Sequence, residues 1–71
     1  MTIRHLKIFI TVVDCGKMRK AADKLYMSQP SVSQAISELE KHYEVKLFER
    51  LSQRLYITED GKLLLSYARY I

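Results

Sequence analysis

The stretch "SQPSVSQAISELE", residues 28–40, decides the fold of this 71-residue chain. Its apolar residues, Val32, Ala35, Ile36 and Leu39, recur at intervals of three and four, which is the spacing of one face of an amphipathic helix. The opposite face shows only serine, glutamine and proline up to position 37, and the first acidic residue is Glu38. A helix surface this rich in hydrogen-bonding groups and without charge calls for a physical explanation.

The start of this helix is marked by turn chemistry. Ser28 is a good N-cap, and Pro30 falls in the first turn, where its missing N–H costs nothing. The pattern predicts a helix that continues to about Tyr43. On a helical wheel, Ser33 flanks the outer face and Gln29 lies near the first turn. The residues that point most directly outward are Pro30, Gln34, Ser37 and Lys41.

Shorter elements flank the central helix. Apolar spacing predicts a first helix over residues 3–13 that Gly16 ends, and a second, two-turn helix over residues 18–25. The outer side of the second helix carries Lys17, Arg19, Lys20 and Lys24 against a single Asp23. Two partly alternating runs, "VKLFER" (45–50) and "RLYIT" (54–58), predict a β-hairpin. Thr58 is suited to cap a last helix, whose apolar stripe consists of Leu64, Tyr67, Ala68 and Ile71.

Length and composition limit the class of protein. Seventy-one residues make one small domain, and the apolar content of 48% argues against disorder. A core of this size rarely contributes more than roughly 3–5 kcal/mol, so a partner subunit or further sequence downstream is expected. Twelve Lys and Arg against eight Asp and Glu give a net charge of +4, which permits a polyanionic partner such as nucleic acid.

The sequence offers little for catalysis or for cofactors. His5, His42 and Cys15 have no metal-ligand spacing, and two glycines cannot build a phosphate-binding loop. Glu38 and Glu40 are two residues apart on a helix, so they do not share a face as an acid–base pair would. We therefore expect no enzyme activity, no cofactor and no metal.

The single cysteine and the lengths of the apolar runs indicate where in the cell the protein is found. A single cysteine excludes an intramolecular disulfide and fits a reducing compartment. No apolar run approaches the length of a membrane span, and "IFITVV" (8–13) lacks the features of a signal peptide. We expect a cytoplasmic protein with no membrane partner.

Two helices joined by a few residues and followed by a hairpin are the ingredients of a winged helix-turn-helix. A recognition helix enters the major groove of DNA, where phosphate groups repel carboxylates. Serine and glutamine side chains can form hydrogen bonds with base edges there. Two alternatives remain open at this point. One is that the outer face is an ordinary polar surface, and the other is that the fold serves protein–protein contact. The basic residues on the second helix and the hairpin favour DNA binding over both.

Two longer segments, "AADKLYMSQPSVSQAISELEKHYEVKLFER" (21–50) and "ITEDG" (57–61), resemble the N-terminal domain of LysR-type transcriptional regulators. The resemblance implies a mainly α winged helix-turn-helix over residues 1–58, with a three-helix core and a two-stranded wing. It implies that residues 59–71 begin a long linker helix that pairs two copies on an interrupted palindrome of double-stranded DNA. An effector-binding domain, through which a small molecule would act, is expected beyond this chain.

The resemblance also implies roles for single residues. Base contacts are expected from Gln29, Pro30, Ser33 and Gln34. Contacts to the DNA backbone are expected from Ser28, Ser31, Ser37, Lys20 and Arg50. Arg54 would lie in the wing and reach the adjacent minor groove, and homodimer contacts are expected from Leu64, Tyr67, Ala68 and Ile71. The sequence departs from the family's pattern at Lys17, where a small polar residue is more typical, and at Met18, which replaces an aromatic residue.

Overall fold

The computed structural model describes residues 3–52 and 54–70, which form four helices and one two-stranded antiparallel sheet. The elements in chain order are α1 (Ile3–Cys15), α2 (Met18–Leu25), α3 (Gln29–Tyr43), β1 (Phe48–Leu51), β2 (Arg54–Ile57) and α4 (Glu59–Ala68). The predicted mainly α winged helix-turn-helix is confirmed: three helices pack together, and the hairpin forms the wing.

The core lies between α1, α2 and α3 and extends under the wing. Its largest fully buried side chains are Phe9, Leu39, Leu47, Val12 and Val32. The Phe9 ring meets the Phe48 ring at a centroid distance of 5.6 Å, which joins α1 to β1. Within the described residues no polar or charged residue is buried, so burial of apolar surface is the main term that holds the helices together.

Left-handed backbone conformations end the first two helices. Gly16 follows α1 at φ +75°, as its lack of a Cβ allows. Tyr26 follows α2 at φ 56°, and the Met27 N–H donates to the Ala22 carbonyl at 3.0 Å. The chain thereby changes direction within three residues, and α3 begins at once and packs against α2.

The wing starts later than its sequence suggests. The strands pair from Phe48 opposite Ile57 to Leu51 opposite Arg54, whereas the apolar alternation predicted a first strand from Val45. Residues 45–47 are engaged elsewhere: the Val45 N–H donates to the Glu40 carbonyl at 3.1 Å. Because these donors complete the end of α3, they are not available to a strand ladder.

Helix α4 is anchored to the segment before β1. The Thr58 Oγ1 caps it as predicted, accepting from the Gly61 N–H at 2.9 Å. The Thr58 N–H donates to the Leu47 carbonyl at 3.0 Å. A Cβ at Gly61 would lie 2.5 Å from that same carbonyl oxygen. Only glycine therefore permits this close approach of α4 to Leu47.

The predicted stripe on α4 divides between core and surface. Ala68 is 5% exposed and belongs to the core of its own chain, and Leu64 is half-buried against that core. Tyr67 stays 65% exposed, and Leu63 is 57% exposed. Ile71 lies outside the described residues. The exposed apolar surface of α4 therefore consists mainly of Leu63 and Tyr67 rather than of the whole predicted stripe.

Candidate nucleic-acid interface

The amino-terminal half of α3 presents an exposed face of uncharged polar side chains. Gln29, Pro30, Gln34 and Ser37 are exposed and Ser33 is half-buried, while the apolar residues of the same turns are buried. Among the described residues, none of these side chains makes a hydrogen bond to another. Their donors and acceptors are therefore free to meet the polar edges of a partner.

Two serines shape the first turn of α3. The Ser28 Oγ accepts from the Ser31 N–H at 3.2 Å, which caps the helix as predicted. The same two hydroxyls lie 2.8 Å apart, and both side chains are exposed. The Val32 N–H donates to the Ser28 carbonyl, and Pro30 has no N–H. Among the described residues of this turn, the Gln29 N–H is therefore the one donor without an intrahelical partner, and the helix dipole adds attraction for anions at this end.

A cleft of about 340 Å³ lies between the start of α2, the start of α3 and the wing. Its lining consists of four cations, Gln29 and two apolar side chains, with no acidic residue. The cations are Lys17, Arg19, Arg50 and Arg54. Lys20 and Arg54 also line a neighbouring cleft beside Gly16. Residues from three separate parts of the chain thus form one positively charged surface next to α3.

These cations have no acidic partner within residues 3–52 and 54–70. The ion pairs there join His5 to Glu38, Lys62 to Glu59 and Arg69 to Asp14. Like charges held together without counter-charges repel one another, so their arrangement favours binding of a polyanion. A phosphate backbone fits this surface because each Lys or Arg that meets a phosphate releases a bound counterion.

The two acidic residues of α3, Glu38 and Glu40, contact other residues of the same chain. The Glu38 Oε1 lies 2.8 Å from the His5 Nε2 on α1. The Glu40 Oε2 accepts from the Leu47 N–H at 2.8 Å. The sequence alone did not predict either role. His5 and Glu38 are 33 residues apart, and a pair at that separation leaves no local pattern. For Glu40, the signal that could have indicated a role was its position in the "LE" of the family motif.

The structure brings most of the expected DNA-contacting residues to one side of the molecule. Pro30, Ser33, Gln34 and Ser37 line a shallow groove along α3. Gln29, Arg50 and Arg54 share the cleft toward the wing. Lys17 and Arg19 join that cleft, although the sequence assigned them no separate contact. No described residue of α4 lines either this groove or this cleft.

Other kinds of site find no support in the described part of the chain. No group of three or more His, Cys, Asp or Glu side chains there is arranged to hold a metal ion. None of the described helices is both long enough and apolar enough to cross a membrane.

A sequence model of the family described as "Bacterial regulatory helix-turn-helix protein, lysR family" matches residues 3–62. The chain is 44% identical over 66 residues to a probable RuBisCO transcriptional regulator of Gracilaria tenuistipitata var. liui, covering 93% of this chain and 21% of that protein. It is 38% identical over 71 residues to the nitrogen assimilation regulatory protein nac of Klebsiella aerogenes, covering 100% of this chain and 23% of that protein. The chain therefore spans only about a fifth of the length of these relatives.

Solved structures give the same result. The DNA-binding domain of BenM in complex with benA site 1 DNA matches with a TM-score of 0.93 at 38% identity, covering 99% of this chain and 81% of that one. The DNA-binding domain of CbnR in complex with DNA matches with a TM-score of 0.93 at 37% identity, covering 99% of this chain and 80% of that one. By sequence and by fold, this chain belongs to the lysR family of bacterial regulatory helix-turn-helix proteins.

Proposed function

We propose that this chain is the DNA-binding domain of a LysR-type transcriptional regulator and that it binds double-stranded DNA in a sequence-specific manner. The observation that carries the proposal is the uncharged, hydrogen-bonding face of α3, bordered by a cleft with four cations and no acid. A helix with such a face fits the major groove, where base edges present donors and acceptors in a pattern unique to each base pair.

Each group of residues has a role in this proposal. Gln29, Pro30, Ser33 and Gln34 meet base edges, since they lie on the exposed amino-terminal half of α3. Phosphate contacts come from the Ser28, Ser31 and Ser37 hydroxyls and from Lys20 and Arg50, because charge-assisted hydrogen bonds to phosphate fix the register of a protein on DNA. Arg54, on the first residue of β2, reaches into the adjacent minor groove.

Relatives of known structure support the proposal that the domain binds DNA. BenM and CbnR were each solved as a DNA-binding domain bound to DNA, and this chain matches about four fifths of each of those domains. The proposed site of action is the bacterial nucleoid in the cytoplasm. The wider activity of the parent regulator, including its response to a small molecule, belongs to the effector domain that the family resemblance implies.

The proposal includes pairing of two copies through α4. Leu63 and Tyr67 expose apolar surface on this helix, and such a patch is stabilised by burial against a second copy. Two-fold pairing presents two recognition helices to an interrupted palindrome. We expect the double variant Leu63→Asp, Tyr67→Asp to bind a single half-site like the wild type and to lose its preference for the palindrome. Equal binding of the palindrome by both proteins, with sedimentation showing a monomer at millimolar concentration, would contradict pairing through α4.

Selection of bound sequences from a random duplex library tests the main proposal. We expect enrichment of a motif with two related halves, and recovery of an unenriched pool would favour a protein–protein role. A salt titration on the selected site gives a second test. If a dimer neutralises roughly 6–10 phosphates, the slope of log affinity against log salt is about −5 to −9. A slope near zero would exclude the cationic surface as the binding face.

A further inference from the structure

A second groove lies on the other side of the recognition helix, between α1 and α3. It has a volume of about 280 Å³, and apolar side chains of α1 and α3 form part of its lining. Its polar lining consists of Arg4, His5, Ser31, Gln34 and Glu38. The Arg4 side chain is exposed at the start of α1 and has no ion pair with another described residue. The groove therefore offers an accessible guanidinium beside the outer face of α3.

The position of this groove matches the geometry of DNA. At 3.6 residues per turn, Gln29 and Ser31 lie about 200° apart when the angle is measured across the exposed face of α3, and Gln34 points outward between them. Gln29 lines the cleft toward the wing, and Ser31 lines the groove toward α1. A helix in the major groove has a phosphate strand on each side of it. The cations of the wing cleft, Lys17, Arg19, Arg50 and Arg54, lie on one side of this helix.

We infer that the groove between α1 and α3 is a second phosphate-binding site, in which Arg4 binds the backbone of the strand opposite the one held at the wing. The planar guanidinium matches two phosphate oxygens, and the exposed Ser31 hydroxyl borders the same space. This inference rests on the proposed function. It adds α1, to which the sequence assigned no role in binding, to the DNA surface.

The Glu38 carboxylate would oppose phosphate in this groove unless it were held. It lines both the groove toward α1 and the one along the outer face of α3. His5 contacts it at 2.8 Å, and the His5 side chain is only 22% exposed, so packing fixes the imidazole in place. His5 is thus a positioning residue: its contact holds the Glu38 side chain against α1, so that the carboxylate does not swing freely through the groove.

Neutral phosphate analogues test the second site strand by strand. Single methylphosphonate substitutions are placed along each strand of the selected duplex, and affinities are measured for the wild type, Arg4→Ala and Arg50→Ala. We expect Arg4→Ala to bind unmodified DNA roughly five-fold more weakly and to reduce the salt slope by about one per protomer. It should no longer respond to methylphosphonates at one cluster of positions that weaken wild-type binding. Within one half-site, Arg50→Ala should lose its response at a cluster on the strand opposite to the one that Arg4→Ala affects, and two-fold symmetry repeats both clusters with the strands exchanged in the other half-site.

Lys7→Ala is the matched control, because Lys7 is an exposed cation on α1 that does not line the groove. It should keep the wild-type response on both strands. If Arg4→Ala keeps that response as well, the second site is excluded, while the response of Arg50→Ala still tests the proposed function. A wild-type protein that does not bind the duplex at all would reject the proposed function itself.

The role of His5 is tested by rescue. His5→Leu should weaken DNA binding about three-fold and lower the response to the Arg4-dependent methylphosphonates, since the freed carboxylate repels phosphate. Adding Glu38→Gln to His5→Leu should restore the affinity, whereas Glu38→Gln alone should change little. Both His5 variants are compared at a temperature where circular dichroism shows each to be folded. Failure of Glu38→Gln to restore binding would show that His5 acts only through packing.

Discussion

The two halves of helix α3 use their polar side chains in opposite ways. In the amino-terminal half, Gln29, Gln34 and Ser37 are exposed and make no hydrogen bonds to other described side chains. In the carboxyl-terminal half, the Glu38 carboxylate contacts His5 and the Glu40 carboxylate accepts from the Leu47 N–H. One half therefore holds the domain together, and the other half is available to a partner.

This difference separates structural from functional polarity. A side chain whose hydrogen bonds are satisfied within the fold affects stability when it is replaced, because its partner is left without one. A side chain with free donors and acceptors affects binding instead. Substitutions in the two halves should therefore change different measurements, and each of the following predictions examines that separation.

The largest effect is expected at the junction that the carboxyl-terminal half of α3 supports. Gly61→Ala places a Cβ 2.5 Å from the Leu47 carbonyl oxygen, so α4 must shift, at an expected cost of about 3 kcal/mol. In a domain of this size, that corresponds to a fall in Tm of about 12–24 °C. Gly16→Ala is the matched control: it meets no atom within 4 Å, and its φ of +75° should cost only about 1–2 kcal/mol. Equal falls in Tm would show that steric contact at Leu47 is not decisive.

Replacements in the amino-terminal half should spare stability. Ser33→Ala and Gln29→Ala should each lose about 1–3 kcal/mol of binding to the selected site and little on scrambled DNA, because base contacts specify sequence. Their Tm values should stay within about 4 °C of wild type, since a surface substitution usually changes stability by less than about 0.5 kcal/mol. Fluorescence anisotropy on both duplexes measures the effect. Equal losses on the two duplexes would place the reading face elsewhere.

Ser28 lies where the two roles meet, so it sharpens the comparison. Ser28→Ala removes the acceptor for the Ser31 N–H, which should lower stability by about 1 kcal/mol and Tm by about 4–8 °C. It should also weaken binding to specific and scrambled DNA alike, as a backbone contact does. Ser28→Thr keeps the cap and should recover most of the lost stability. A Ser28→Ala variant with wild-type Tm would show that the cap does not contribute.

The smallest effect is expected from a single surface cation. Lys20→Ala should weaken binding to both duplexes by less than about 1 kcal/mol, because an exposed ion pair contributes little by itself. It should also reduce the salt slope by about one per protomer. Lys62→Ala on α4, whose ammonium pairs with Glu59 at 3.3 Å, is the control and should leave the slope unchanged. A specific loss on the selected site alone would assign Lys20 to base readout.

The elements of the fold follow from local signals in the sequence. Apolar spacing located all four helices, and Ser28, Gly16 and Thr58 marked their ends because caps and left-handed turns depend on single residues. The position at which β1 starts could not be predicted from such local signals. Alternation over 45–50 fits a strand, but the Val45 and Leu47 N–H groups donate to the carbonyl and the carboxylate of Glu40, and apolar alternation does not record such bonds.

The candidate site was predictable in its residues but not in its arrangement. Helical periodicity gave the outer face of α3, and the family motif pointed to Arg50 and Arg54. That these two arginines share a cleft with Lys17 and Arg19 depends on how the wing folds back beside α2. The burial of Ala68 against the core was not predicted either, because an apolar stripe does not tell which of its members meet the same chain.

Leu47 gives the domain a mechanical linkage. Its N–H is held by the Glu40 carboxylate of the recognition helix, and its C=O accepts from the Thr58 N–H at the start of α4. One rigid peptide segment thus joins the two helices, with no slack loop to absorb a displacement. A tilt of α4 pulls on Leu47 and so on the carboxyl end of α3; in the proposed dimer, the angle between the two α4 helices would therefore be coupled to the direction in which the two α3 helices point.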